Sequence, residues 1–158
     1  KGAIVTAVDK SKKRIDLLKE NVDRLNLNKK LTLIRENALN LNLPVKQDLI
    51  LLDVPCSATG TIKRNPDILW NKNKKDLFEI ISLQKALLQK SISLTKKNGL
   101  IVYSNCSLEF EEGEYIIQEF INKKIVEIVE VKKAEIKNYP EDIINNGVIL
   151  FLIFKLTS

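Results

Sequence analysis

An acid and a thiol stand three residues apart in Asp53-Val-Pro-Cys56, and the second of the chain's two cysteines follows in Ser104-Asn-Cys-Ser107. Each stretch comes after an apolar run. The thiolate is the reactive form of cysteine, so a catalytic thiol here requires a lowered pKa, for which Lys63, Arg64 or a helix N-terminus is the expected source. A lone cysteine is usually a small buried hydrophobe. Two of them in polar, serine-bearing loops fit that reading less well. The chain has no histidine, so neither a His-based triad nor a zinc tetrad can be assembled and no metal is expected. The absence of a Cys-x-x-Cys unit argues against a dithiol oxidoreductase.

The elements that would position these groups can be read from the apolar pattern. Leu49 to Leu52 predicts a buried strand that delivers Asp53 and Cys56 to the end of an open α/β sheet where ligands bind. Leu100 to Tyr103 predicts another ahead of Cys106. If those strands are neighbours their backbones lie roughly 5 Å apart and the thiols can face one pocket. Ala3 to Val8 is a further strand ending at Asp9, where a Rossmann-like fold offers a carboxylate to ribose hydroxyls. The alternative role for Asp9 is to help start the following helix. That helix is capped by Ser11, with Ile15, Leu18, Val22 and Leu25 on one face and Lys12, Lys13, Lys19 and Glu20 outward.

Leu31 to Arg35 predicts a strand, and an amphipathic helix follows from about Lys74 to Lys96, its stripe of Leu77, Ile80, Ile81, Leu87, Leu88 and Leu94 interrupted by Gln84 and Ser91. Asn98-Gly99 should close it, with the glycine left-handed. Glu111, Glu112 and Glu114 read as a solvated helix start rather than a carboxylate cluster. Ile125 to Val131 and Val148 to Lys155 are the last two strands, an antiparallel pairing being open, and Lys132 to Asn146 is a polar connection. Within the central loop Pro55 stiffens the backbone and Gly60 lets it turn. Trp70 is either a base-stacking platform or a buried anchor.

A chain of 158 residues suits one domain, and no run approaches the roughly 20 apolar residues of a membrane-spanning helix. The start lacks a secretory pattern, so a cytoplasmic location with reduced thiols is expected. A net charge of +6 and a pI near 9.2 suit a polyanion such as RNA, or reflect lysines on solvated helix faces.

The stretch Asp53-Val-Pro-Cys-Ser-Ala-Thr-Gly-Thr-Ile-Lys-Arg-Asn-Pro-Asp-Ile-Leu-Trp70 and Tyr103-Ser-Asn-Cys-Ser-Leu108 resemble two signatures of the bacterial Sun/Fmu-type rRNA cytosine-C5 methyltransferases, in the wider NOP/Sun family. Ala7-Val-Asp-Lys-Ser-Lys-Lys-Arg-Ile15, with Glu20-Asn21 and Arg24-Leu25, is similar to that family's cofactor-binding strand and helix. The match runs from about Lys1 to Phe120 in the right order. It implies a Rossmann-like class I methyltransferase fold, α/β, with a mostly parallel sheet covered by helices on both faces. It also implies S-adenosyl-L-methionine as cofactor and RNA, specifically rRNA, as partner. In such an enzyme Cys106 would attack C6 of cytosine, and Cys56 would serve proton removal and product release. Asp53 would lie by the methyl donor and the base, and Asp9 would hold the ribose. Pro55 and Asn37 would complete the cofactor set, Asn37 standing where the family usually has an aspartate for the adenine.

Against the family pattern, the glycine-rich loop with its strand and helix falls before Lys1, as does an N-terminal RNA-binding domain. Residues 1–158 are therefore expected to be a single, truncated catalytic domain with two unpaired strand edges, completed by the missing N-terminal segment or a partner. Asn105 replaces a threonine, and Asn146-Gly-Val-Ile149 replaces a glycine and aromatic pair. The alternative to an enzyme is a catalytically inactive remnant, an RNA-binding or interaction module of the same fold.

Overall fold

The computed structural model describes residues 2–70, 74–129 and 150–157. The chain divides into two compact units, Lys1–Leu43 and Pro44–Ser158.

In the first unit β1 (Val5–Asp9) and β2 (Leu31–Arg35) pair in parallel, Val5 opposite Leu31 and Asp9 opposite Arg35. A parallel pair needs a crossover, which α1 (Lys12–Arg24) supplies. Ser11 caps it as predicted, its Oγ accepting the Arg14 N–H at 3.4 Å. Of the expected inward face Val22 is buried, Ile15 and Leu18 are half-buried, and Leu25 is exposed. Asn26, at φ 55°, turns the chain left-handed after the helix.

The second unit holds β3 (Gln47–Asp53), α2 (Lys74–Leu94), β4 (Thr95–Asn105), α3 (Glu114–Asn122), β5 (Val126–Ile128) and β6 (Leu150–Leu156). Its sheet runs β3-β4-β6-β5. β3 and β4 are parallel, whereas β6 is antiparallel to both its neighbours, which settles the pairing the sequence left open. Leu88, Ile101, Tyr103, Ile116 and Phe154 are fully buried and form the centre of the core. Glu119 of α3 meets Lys123 at 2.7 Å and Lys85 of α2 at 2.6 Å, and the hydrogen bonds from Lys123 and then Lys85 draw its carboxyl down to about 2. The predicted connection Lys132–Asn146 and the Asn146-Gly-Val-Ile149 segment lie outside the described residues.

Two local expectations change. The α2 helix ends at Leu94, and the left-handed residue is Asn98, at φ 62°, rather than Gly99. Gly99 serves close approach instead: a Cβ there would lie 2.6 Å from Thr95 Cγ2, 2.9 Å from Lys96 O and 3.1 Å from Asp48 O. Gln84 and Ser91 are both buried, Ser91 Oγ returning to Leu87 O at 3.0 Å. Among the described residues β1 hydrogen-bonds as a strand only to β2, and β3 only to β4. Among those residues no helix is long and apolar enough to cross a membrane.

Candidate active site

The apolar runs ahead of the two cysteines become adjacent strands. Asp53, the last residue of β3, is in register with Ser104 of β4. Beyond the strand, Val54 N–H donates to Ser104 O at 3.0 Å, and Gly60 N–H donates to Cys106 O at 2.9 Å. The loops therefore leave the sheet side by side. This brings Cys56 Sγ and Cys106 Sγ to 3.3 Å, a thiol–thiol hydrogen bond in which either sulfur can donate. Both cysteines are half-buried and neither forms a disulfide.

The electrostatics differ from expectation. The Cys106 thiol is pushed up to about 11, first by burial, then by its hydrogen bond to Cys56 and the negative charges of Cys56 and Asp53. Lys63 and Arg64, the expected activators, are exposed. At neutral pH Cys106 is a protonated thiol, and a proton must leave before it becomes a nucleophile.

A buried polar network lies behind the sulfurs. Glu112 is fully buried. Its Oε2 accepts the Ser57 N–H at 2.8 Å and Gln84 Nε2 at 2.9 Å, and its Oε1 accepts Ser107 Oγ at 2.8 Å. Its backbone carbonyl accepts Tyr103 Oη and Asn105 Nδ2, each at 2.9 Å. The Tyr103 phenol is pushed well above its ordinary value by burial and the Glu112 charge. Gln84 Nε2 also donates to Pro55 O at 2.8 Å, while Gln84 Oε1 is buried with no hydrogen-bond partner among the described residues. Ala58, next to Ser57, is held left-handed at φ 61°.

Cys56, Cys106, Asp53 and Pro55 thus belong to one unit, with the two thiols in contact. Asp9 and Asn37 belong to the other. Asp9 Oδ1 accepts the Ser11 N–H at 2.7 Å and Oδ2 meets Arg14 Nε at 2.8 Å. The Ser11 bond and Arg14 hold this carboxyl below its usual range against some desolvation. The helix-start role of Asp9 is therefore visible directly. Asn37 Oδ1 accepts Leu39 N–H at 3.0 Å, capping a short 3-10 turn, Ala38–Asn40. Trp70 is 87% exposed and is no buried anchor. Among the described residues no group of three or more His, Cys, Asp or Glu could hold a metal ion.

Glu112 is the residue that sequence reasoning missed. Glu111 and Glu114 are exposed, as a solvated helix start requires, but Glu112 precedes the buried Ile116 and Phe120 by four and eight residues. That spacing places it on the inward stripe of the helix that follows, a signal masked by the charge of its neighbours.

The chain matches the family described as 16S rRNA methyltransferase RsmB/F over residues 1–148. It is 37% identical over 120 residues to ribosomal RNA small subunit methyltransferase B of Photorhabdus laumondii, and equally to that of Yersinia enterocolitica, covering 75% of this chain and 28% of each relative. Among solved structures it resembles NSun6 from Pyrococcus horikoshii with SFG, with a TM-score of 0.79, 25% identity, and coverage of 98% of this chain and 42% of that one. A methyltransferase homolog protein from Pyrococcus horikoshii gives a TM-score of 0.76 at 27% identity, with 97% and 53% covered.

Proposed function

The chain belongs to the 16S rRNA methyltransferase RsmB/F family, and we propose that it carries the catalytic cysteine pair of an S-adenosyl-L-methionine-dependent rRNA cytosine-C5 methyltransferase. Its α/β architecture is that of class I methyltransferases. The chain spans 28% of the length of the curated relatives. The observation that carries the reading is the 3.3 Å contact between Cys56 and Cys106 sulfurs at the ends of adjacent parallel strands.

In this reading the target cytosine leaves its stack to reach the thiols. Cys106 Sγ passes its proton to solvent and bonds to C6, and the C5–C6 π electrons shift to make C5 nucleophilic. S-adenosyl-L-methionine, when bound, would supply the methyl group as an electrophile on a sulfonium, which leaves as the neutral thioether. Cys56 Sγ, its own proton released to solvent, takes the C5 proton. The returning electron pair rebuilds the C5–C6 double bond and expels Cys106 as thiolate. Covalent catalysis thereby splits one hard displacement into easier steps.

The residues fit the cofactor in kind. Asp9 ends β1 ionised and half-buried, the type of group that receives ribose hydroxyls, and Asn37 follows the neighbouring strand with an exposed amide. Asp53 and Pro55 would lie by the methyl donor, the Pro55 carbonyl being held by Gln84. RNA is the polyanion that the net charge of +6 would meet.

The test is methylation of rRNA by a fused chain in which residues 1–158 replace the matching stretch of a curated relative. Bisulfite-resistant cytosine should appear and vanish with Cys106→Ala. A mark that persists in that variant removes Cys106 as nucleophile. No heat of binding with S-adenosyl-L-methionine, together with salt-sensitive RNA binding, would favour an inactive RNA-binding module.

A further inference from the structure

We propose that Glu112 is a positioning residue that sets the spacing of the two sulfurs by clamping the residue after each cysteine. Ser57 follows Cys56 and Ser107 follows Cys106. The Ser57 N–H donates to Glu112 Oε2 and Ser107 Oγ to Oε1, both at 2.8 Å. One rigid carboxylate thus spans the two loops, and the serines also meet directly, Oγ to Oγ at 2.8 Å. Loss of either arm frees one loop relative to the other.

A carboxylate only accepts hydrogen bonds, so it also fixes proton order. The single Ser107 hydroxyl proton goes to Glu112. Ser107 Oγ must then accept from Ser57 Oγ, and it accepts the Glu109 N–H at 3.0 Å. Gln84 turns its amide nitrogen toward Pro55 O and Glu112 Oε2 and leaves Oε1 buried with no partner among the described residues. An unsatisfied buried oxygen is unfavourable. That orientation persists because the two acceptors need the same donor. The acid sits fully buried among neutral donors. Such a group is costly unless satisfied, and charge-assisted bonds are about twice as strong as neutral ones.

The proposal deepens the two-cysteine reading above, but its test needs neither RNA nor cofactor. The chain has only two cysteines, both partly exposed. Phenylarsine oxide bonds two thiols at once, releasing one water as two S–H bonds become two As–S bonds, so its rate reports sulfur spacing. Single-thiol alkylation by iodoacetamide reports access alone. The ratio of the two rates should fall about tenfold in Glu112→Ala and in Ser107→Ala, which removes one arm, and only a few-fold in Glu112→Gln, which retains one acceptor. Each variant is first checked for folding by near-UV circular dichroism. An unchanged ratio in a folded Glu112→Ala overturns the proposal; if that variant does not fold, an unchanged ratio in Ser107→Ala does so. Absence of methylation by the unsubstituted fused chain, with the ratio falling as expected in the variants, would count against the enzyme reading and leave the clamp standing.

Discussion

Cys56 and Cys106, fifty residues apart in sequence, hold their sulfurs 3.3 Å from one another without a disulfide. Neither loop achieves this alone. The parallel register of Asp53 with Ser104 brings the loop origins together, and the Val54 and Gly60 N–H groups extend the pairing past the strand ends. The contact makes each thiol part of the other's environment, so a change at one must be read at both.

The first prediction concerns acidity. Cys106 titrates near 11 because of burial, then the Cys56 hydrogen bond, the Cys56 charge and the Asp53 charge. Cys56→Ala removes two of these causes and leaves burial, the largest. The alkylation midpoint of Cys106 should fall below 11 while staying above 9, and its rate at pH 8 should rise several-fold. Because the Cys106 thiol is raised from 9.0 to about 11 on folding, the stability it contributes is fully present below pH 9 and is lost as pH rises through 11. Urea denaturation at pH 8 and pH 11 should show a steeper loss for the native chain than for Cys106→Ala. An alkylation midpoint unmoved in Cys56→Ala would show that the sulfur contact has no electrostatic consequence.

The second prediction separates the thiols by role. With the fused chain and rRNA, Cys56→Ala should accumulate a protein–RNA adduct on denaturing electrophoresis, because the C5 proton lacks its acceptor and the Cys106–C6 bond persists. Cys106→Ala should give none. Absence of adduct in Cys56→Ala would count against the release role of Cys56.

Much of the site's placement was legible because strand ends are announced by apolar runs: Leu49 to Leu52 predicts where Asp53 emerges, and Leu100 to Tyr103 where Cys106 does. Adjacency of those strands was only conditional, since pairing is a long-range choice that no local pattern encodes. Glu112 was misread because composition around it describes an exposed turn, whereas its burial is decided by spacing to Ile116 and by donors from three other segments. The sign of the Cys106 shift was missed for the same reason: nearby cations in sequence, Lys63 and Arg64, say nothing of burial. The sequence admits two roles for Trp70, and its 87% exposure removes only the anchor.

The third prediction contrasts two backbone positions. Gly99→Ala forces a Cβ against Thr95 Cγ2, Lys96 O and Asp48 O at 2.6, 2.9 and 3.1 Å, and two of those atoms are backbone. Overpacking of this kind costs about 1–3 kcal/mol. Ala58→Gly should act oppositely: a left-handed alanine costs about 1–2 kcal/mol, and glycine's greater unfolded freedom returns about 0.4–1. A net gain of about 0.5–1 kcal/mol is expected from these terms. Urea denaturation of the two variants checks both signs, and equal effects would mean that neither position is constrained as described.

The last prediction decides between the two roles of Asp9. Its carboxylate holds the Ser11 N–H at 2.7 Å and Arg14 at 2.8 Å, so it helps start α1 whatever else it does. Asp9→Asn keeps an oxygen for Ser11 but removes the charge, and an amide receives ribose hydroxyls less well than a carboxylate. Arg14→Ala removes the ion pair and leaves the carboxylate. If Asp9 holds the ribose, Asp9→Asn should weaken S-adenosyl-L-methionine binding to the fused chain at least tenfold by calorimetry, with Arg14→Ala nearly unchanged. If it serves only the helix, both variants should lower helicity slightly and leave affinity alone. The acid limb gives an internal control. Because the Asp9 carboxyl lies below 3.8, its stabilising contribution is present above that pH and is lost as pH falls through the folded value. That loss should be absent in Asp9→Asn and reduced in Arg14→Ala.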